Sequence, residues 1–132
     1  MRVVADTSVW SLVLRRGQPP SDPHAAELAR MLAQGERVVL LGIVLQEILQ
    51  GIRDPAQFET VRSYLEDLPL LRLERRDYVA AAELWNACMA GGVQASSVYF
   101  QIAAACIEHD CALLSADQDF QHIARFCALQ LL

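Results

Sequence analysis

The chain contains no lysine. Its 11 basic residues are all arginine, set against 16 acids, and the formal net charge is −5. That balance excludes a protein that holds nucleic acid through a broad basic surface. It leaves room for a nuclease, because metal-binding carboxylates push the count negative. Arginine suits bidentate contacts to phosphate, although genome composition alone produces the same bias. Long apolar runs are also missing. The longest, Val38 to Leu45, is ended by Gln46 and Glu47 and falls short of the roughly 18 residues of a membrane span. No basic start leads into an apolar stretch, so no signal peptide is expected, and the location that follows is cytoplasmic. There is no Cys-x-x-Cys pair. Cys88, Cys106, Cys111 and Cys127 lie in apolar surroundings and read as buried free thiols, which argues against zinc. Nor is there a linker, a repeat or a low-complexity tract, and an apolar share of 54% argues against disorder.

What remains is a chain of 132 residues, expected to form a single domain over 1–132 with a full core. Arg2 to Ala5 reads as a strand, and Asp6 or Thr7 caps a helix running to about Leu14. Arg15 to Ser21 is a loop rich in glycine and proline. Asp22-Pro23 opens a second helix that Gly35 ends. Arg37 to Leu41 is apolar on both faces, as a buried parallel strand is. Gly42 to Gly51 reads as a helix, Pro55 to Leu65 as another, Pro69 to Leu73 as a third strand, and Arg75 to Met89 as a long helix. A helix over Val98 to His109, a strand over Cys111 to Ser115, a helix over Asp117 to Arg125 and a last strand over Cys127 to Leu131 complete the pattern. Strands alternating with helices imply an α/β fold with a parallel sheet of four or five strands, covered on both sides.

Acids stand at strand ends. Asp6 follows the first strand, and Asp117 and Asp119 follow the fourth. Both Asp6 and Asp117 also suit helix N-caps. Were strands one and four neighbours, these acids would meet at the crevice where open α/β sheets hold ligands. Glu47 shares a helix face with Ile43, Val44 and Gly51 in an otherwise apolar stretch. A carboxylate there needs a partner, either an ion or an arginine such as Arg53. Converging carboxylates suit Mg²⁺ or Mn²⁺. His24, His109 and His122 read as surface residues.

The stretches Asp6-Thr7-Ser8, Gln46-Glu47-Ile48-Leu49-Gln50-Gly51 and Leu114-Ser115-Ala116-Asp117-Gln118-Asp119-Phe120 together resemble the acidic motifs of the PIN domain, most of all those of VapC toxins from toxin–antitoxin pairs. The resemblance spans essentially the whole chain. It implies a three-layer α/β/α fold and an endoribonuclease that uses Mg²⁺, with Mn²⁺ a possible substitute. By motif, the family's acids fall on Asp6, Glu47 and Asp117, with Asp119 close by as a further ligand candidate. Thr7 and Ser115 fall on hydroxyl positions that orient the carboxylates. One family acid opens the helix before the fourth strand, and here the segment reads Ser96-Ser97-Val98-Tyr99-Phe100-Gln101-Ile102-Ala103-Ala104. Tyr99 occupies the acid's place. A neutral phenol does not replace a carboxylate as a Mg²⁺ ligand.

The activity so implied is attack of a metal-activated water on an RNA phosphodiester, leaving a 5′-phosphate. Arg15 and Arg53 are candidates for holding the RNA backbone. The implied partners are RNA, a small VapB-like antitoxin that inserts an arginine or an apolar anchor into the crevice, and a second copy in a homodimer. Tyr99 favours a rival, a PIN domain that has lost catalysis and only binds antitoxin or RNA. Two other phosphate-handling α/β folds rank low. A haloacid-type phosphatase wants a second aspartate where Ser8 stands, and a receiver domain wants a late lysine.

Overall fold

The computed structural model describes residues 1–14 and 21–132. Arg15 and all but the last residue of the loop expected over Arg15 to Ser21 lie outside the described residues. The sheet has four parallel strands in the order β3-β2-β1-β4: β1 Arg2–Ala5, β2 Val38–Leu41, β3 Leu70–Leu71 and β4 Cys111–Leu114. Val3 and Val4 lie opposite Val38 and Val39, and Ala5 lies opposite Leu114. Every residue of β2 and β4 is buried, as expected of parallel strands covered on both faces.

The helices α1 Thr7–Val13, α2 Pro23–Ala33, α3 Gly42–Gln50 and α4 Pro55–Leu65 connect β1 to β2 and β2 to β3, moving outward in one direction. α5 Arg75–Ala90 and α6 Ser97–Glu108 carry the chain back across the sheet to β4. Parallel crossovers are right-handed, so the reversal puts α1 to α4 on one face and α5 and α6 on the other, giving three layers. The element contacts agree, since α1 packs on α2 and α3, whereas α5 packs on α6 and α6 on β4. α7 Gln118–Ile123 and a short 3-10 turn, Ala124–Phe126, follow β4. The aspartate–proline starts behave as expected: Asp22 accepts from the N–H of His24 and Ala25, and Asp54 from that of Gln57.

Three expectations are corrected. The third strand shrinks from Pro69–Leu73 to Leu70–Leu71, because it is an edge with one neighbour and Arg72 already faces solvent. The last strand, Cys127 to Leu131, reduces to a single bridge between Leu113 and Leu131. The 3-10 turn takes up the chain before it, and only Leu129 of that segment is buried. His109 is not a surface residue. Its side chain is 14% exposed, and its Nε2 lies 2.9 Å from Oδ1 of the buried Asp77. Asp77 Oδ2 accepts the Glu74 N–H at 2.7 Å, and Arg2 donates to the His109 carbonyl at 2.8 Å. This knot ties the start of α5, the end of α6 and β1 together. His109→Ala leaves the buried Asp77 carboxylate short of a partner and is expected to cost about 2 kcal/mol in urea unfolding. A cost within about 0.5 kcal/mol of zero, the range of an ordinary surface substitution, would show the pair to be passive.

Candidate active site

Parallel strands end on the same side, so the residues just beyond β1, β2 and β4 share one edge of the sheet. Asp6 continues β1 by donating its N–H to the Leu114 carbonyl at 3.1 Å. Its carboxylate is buried, 5% exposed as a residue, and accepts three bonds. Oδ1 takes the Ser8 hydroxyl at 2.8 Å and the Val9 N–H at 3.1 Å, and Oδ2 takes the Ser115 hydroxyl at 2.5 Å. Asp6 is therefore helix cap and cleft residue at once. Thr7 donates to Glu47 Oε1 at 2.8 Å, linking α1 to α3. Among the described residues Glu47 has no ion pair with Arg53 or any other arginine.

Beyond β4, Ser115 accepts the Asp117 N–H at 3.0 Å, so one hydroxyl orients both aspartates. Asp117 caps α7 by accepting the Asp119 N–H on Oδ1 at 2.9 Å, while its Oδ2 takes the Tyr99 hydroxyl at 2.6 Å. The Tyr99 ring lies against Phe120, with centroids 5.0 Å apart and planes at 51°. Asp6, Thr7, Glu47, Tyr99 and Asp117 all line one cleft of about 330 Å³. Asp119 is not among its lining residues. Ser8, Ile102 and Phe120 line it and were not singled out from the sequence; the hydroxyl two places after Asp6 was the one available signal for Ser8. A cleft of similar size between α5 and α6, lined by residues such as Tyr78, Trp85 and Phe100, carries no carboxylate, imidazole or guanidinium.

The Tyr99 hydrogen bond to Asp117, helped by burial and by the charges of Asp117 and Asp119, holds the phenol well above its ordinary pKa. A raised folded value means that the neutral phenol stabilises the fold. The contribution is full below the unfolded value of about 10 and is lost as pH rises toward the folded one. In an alkaline titration followed by tyrosinate absorbance, a late step is expected that Tyr99→Phe removes. If that step persists in the variant, it belongs to another tyrosine.

Does this donor set suit a divalent ion? Among the described residues no three His, Cys, Asp or Glu side chains converge as an ion's ligands do. Asp6 is held by two hydroxyls and an N–H, and Asp117 is held by the Tyr99 phenol and by the start of α7. As it stands, the set does not fit a three-carboxylate metal site.

A family model described as the PIN domain matches residues 3–126. Ribonuclease VapC11 of Mycobacterium tuberculosis is 30% identical over 131 residues, covering 97% of this chain and 96% of that protein. VapC ribonuclease Mb1587 of Mycobacterium bovis is similar to the same extent, with 30% identity and coverage of 97% and 96%. Among solved structures, VapBC2 from Rickettsia felis, bound to a DNA fragment from its promoter, matches with a TM-score of 0.79 and 16% identity, over 100% of this chain and 98% of that one. The order of the strands, the acids at their C-terminal edge and these likenesses lead to one conclusion: the chain belongs to the PIN domain family.

Proposed function

We propose that the chain is a single PIN-like domain over residues 1–132 built as a VapC-type endoribonuclease toxin, and that Tyr99 impairs its catalysis. The observation that carries this reading is the meeting of Asp6, Glu47 and Asp117 in one cleft at the C-terminal edge of the sheet, in a chain that shares 30% identity with two VapC ribonucleases. The substrate is RNA. The cofactor this reading calls for is Mg²⁺, with Mn²⁺ as a substitute, held by Asp6, Glu47 and Asp117, with Asp119 close by, and wanting an acid at position 99. Thr7 holds Glu47 and Ser115 holds Asp6. The deciding experiment measures RNA cleavage by the chain and by Tyr99→Asp, with Mg²⁺ and with a chelator.

A second reading is favoured by one contact, the Tyr99–Asp117 hydrogen bond. It makes the chain a PIN domain that binds antitoxin or RNA without cutting. Either reading includes a small VapB-like antitoxin, since the Rickettsia felis structure is of a VapBC complex, and a homodimer. Exposed apolar side chains on the helical layers, among them Tyr64, Tyr78, Val79 and Trp85, suit protein partners. Light scattering is expected to give twice the chain mass at micromolar concentration. A monomer throughout, with no association with a co-expressed antitoxin, would sink the partner proposal.

No helix among the described residues is long and apolar enough to cross a membrane, and the function proposed is cytoplasmic.

A further inference from the structure

We infer that Tyr99 suppresses divalent-cation binding in this cleft by capturing Asp117, over and above its lack of a charge. The inference rests on the reading of the cleft as a PIN-domain nuclease site.

Two separate effects follow from a tyrosine in an acid's place. The cluster is short of one negative charge. In addition, the phenol is a donor that reaches a carboxylate the cluster still has. The geometry gives weight to the second effect. Asp117 Oδ2 accepts the Tyr99 hydroxyl at 2.6 Å, the short distance of a charge-assisted bond. Its other oxygen is taken by the Asp119 N–H, and its own N–H is tied to Ser115. Asp117 is thus engaged at three points, and the Tyr99 bond is the one that distinguishes this chain from the motif.

The phenol is fixed as well. Its ring packs on Phe120 at 5.0 Å, and Phe120 is almost wholly buried three positions after Asp117. The ring and the hydroxyl therefore grip the same turn at the start of α7. A cation on Oδ2 of Asp117 competes with that hydroxyl for the oxygen's lone pairs inside a partly buried cleft. The hydroxyl is an internal competitor of the cation.

Charge and capture come apart in one substitution. Tyr99→Phe restores no charge, keeps the ring on Phe120 and removes the donor. Mn²⁺ serves as the probe, followed as free ion by electron paramagnetic resonance with no RNA present. The dissociation constant of Tyr99→Phe is expected to fall on the order of tenfold relative to the unaltered chain, the scale of a charged hydrogen bond. Tyr99→Leu, a second variant without the hydroxyl, is expected to move in the same direction. Asp117→Asn is expected to abolish the gain in the Tyr99→Phe background and to cost that variant more affinity than it costs the unaltered chain, a coupling that a merely structural role does not produce.

Tyr99→Phe and Tyr99→Leu binding no better than the unaltered chain, or the Tyr99→Phe gain surviving Asp117→Asn, would overturn the inference. The two readings fail separately. If Tyr99→Asp cleaves RNA while the two hydroxyl-free variants gain no affinity, the capture is wrong and the nuclease stands. If those variants gain affinity through Asp117 and Tyr99→Asp cuts nothing, the capture stands and the nuclease reading falls.

Discussion

Tyr99→Asp is expected to cleave RNA in Mg²⁺ at least about 100-fold faster than the unaltered chain, because losing one ligand at a site that positions an ion costs orders of magnitude in rate. The substitution changes two things at once. It adds a carboxylate on the wall of a cleft that already holds Asp6 and Glu47, and it removes the hydroxyl that engages Asp117. A divalent ion gives up part of its hydration on binding, and clustered carboxylates offset that loss. A chelator should return the variant to the level of the unaltered chain. In a host cell, expression should arrest growth, and co-expression of the antitoxin should relieve it. Added like charge carries a cost, so the variant without metal should unfold at lower denaturant and recover when Mg²⁺ is added. Equal cleavage rates for the two forms would mean that Tyr99 lies outside the reacting site.

Within that restored background, Asp6→Asn is expected to reduce cleavage by about 1,000-fold or more while leaving stability nearly unchanged. The separation follows from the contacts of Asp6. An amide oxygen can still accept from Ser8 and from the Val9 N–H. The amide nitrogen then faces Ser115, whose hydroxyl now donates to Asp6 and accepts from Asp117. A hydroxyl has two acceptor sites and a rotatable proton, so it can turn and accept from the amide instead. The fold loses little, but the charge is gone. Asp6→Ala removes the α1 cap as well and is expected to add a stability cost of about 1 kcal/mol. Urea unfolding separates the variants, and an RNA cleavage assay reads the rate. Asp6→Asn retaining more than about a tenth of the rate would mean that Asp6 is only a cap.

Much of this architecture was legible because its signals are local. β2 and β4 are four-residue apolar runs, all buried, and the Asp22-Pro23 and Asp54-Pro55 starts carry their own capping chemistry. The meeting of Asp6 with the Ser115–Asp117 segment depended on β1 lying beside β4, which alternation of elements permits and does not dictate. What stayed hidden was set by distant partners. His109 lies between Glu108 and Asp110 and looks solvated, yet its partner Asp77 is 32 positions away in the chain. The hydrogen bond from Tyr99 to Asp117 spans 18 positions and two elements. The resemblance sets a tyrosine where it implies an acid, but the sequence does not say which carboxylate that tyrosine reaches. Glu47 invited an ion or an arginine on grounds of burial, and the partner it has is the Thr7 hydroxyl, 40 positions back, a contact that needs α1 and α3 packed together.

The pairing of β1 with β4 also bears on when the cleft comes into being. Asp6 meets Ser115 across 109 positions, and the first strand lies between one made early and one made late. Contacts so remote in the chain are slow to form, because a long loop must close before they return any stabilisation. On the ribosome, β1 and β2 can pair long before Cys111 to Ser115 has been synthesised, so a nascent chain carries the carboxylate of Asp6 without the wall that orients it. Truncated or unfinished chains would then lack an assembled cleft.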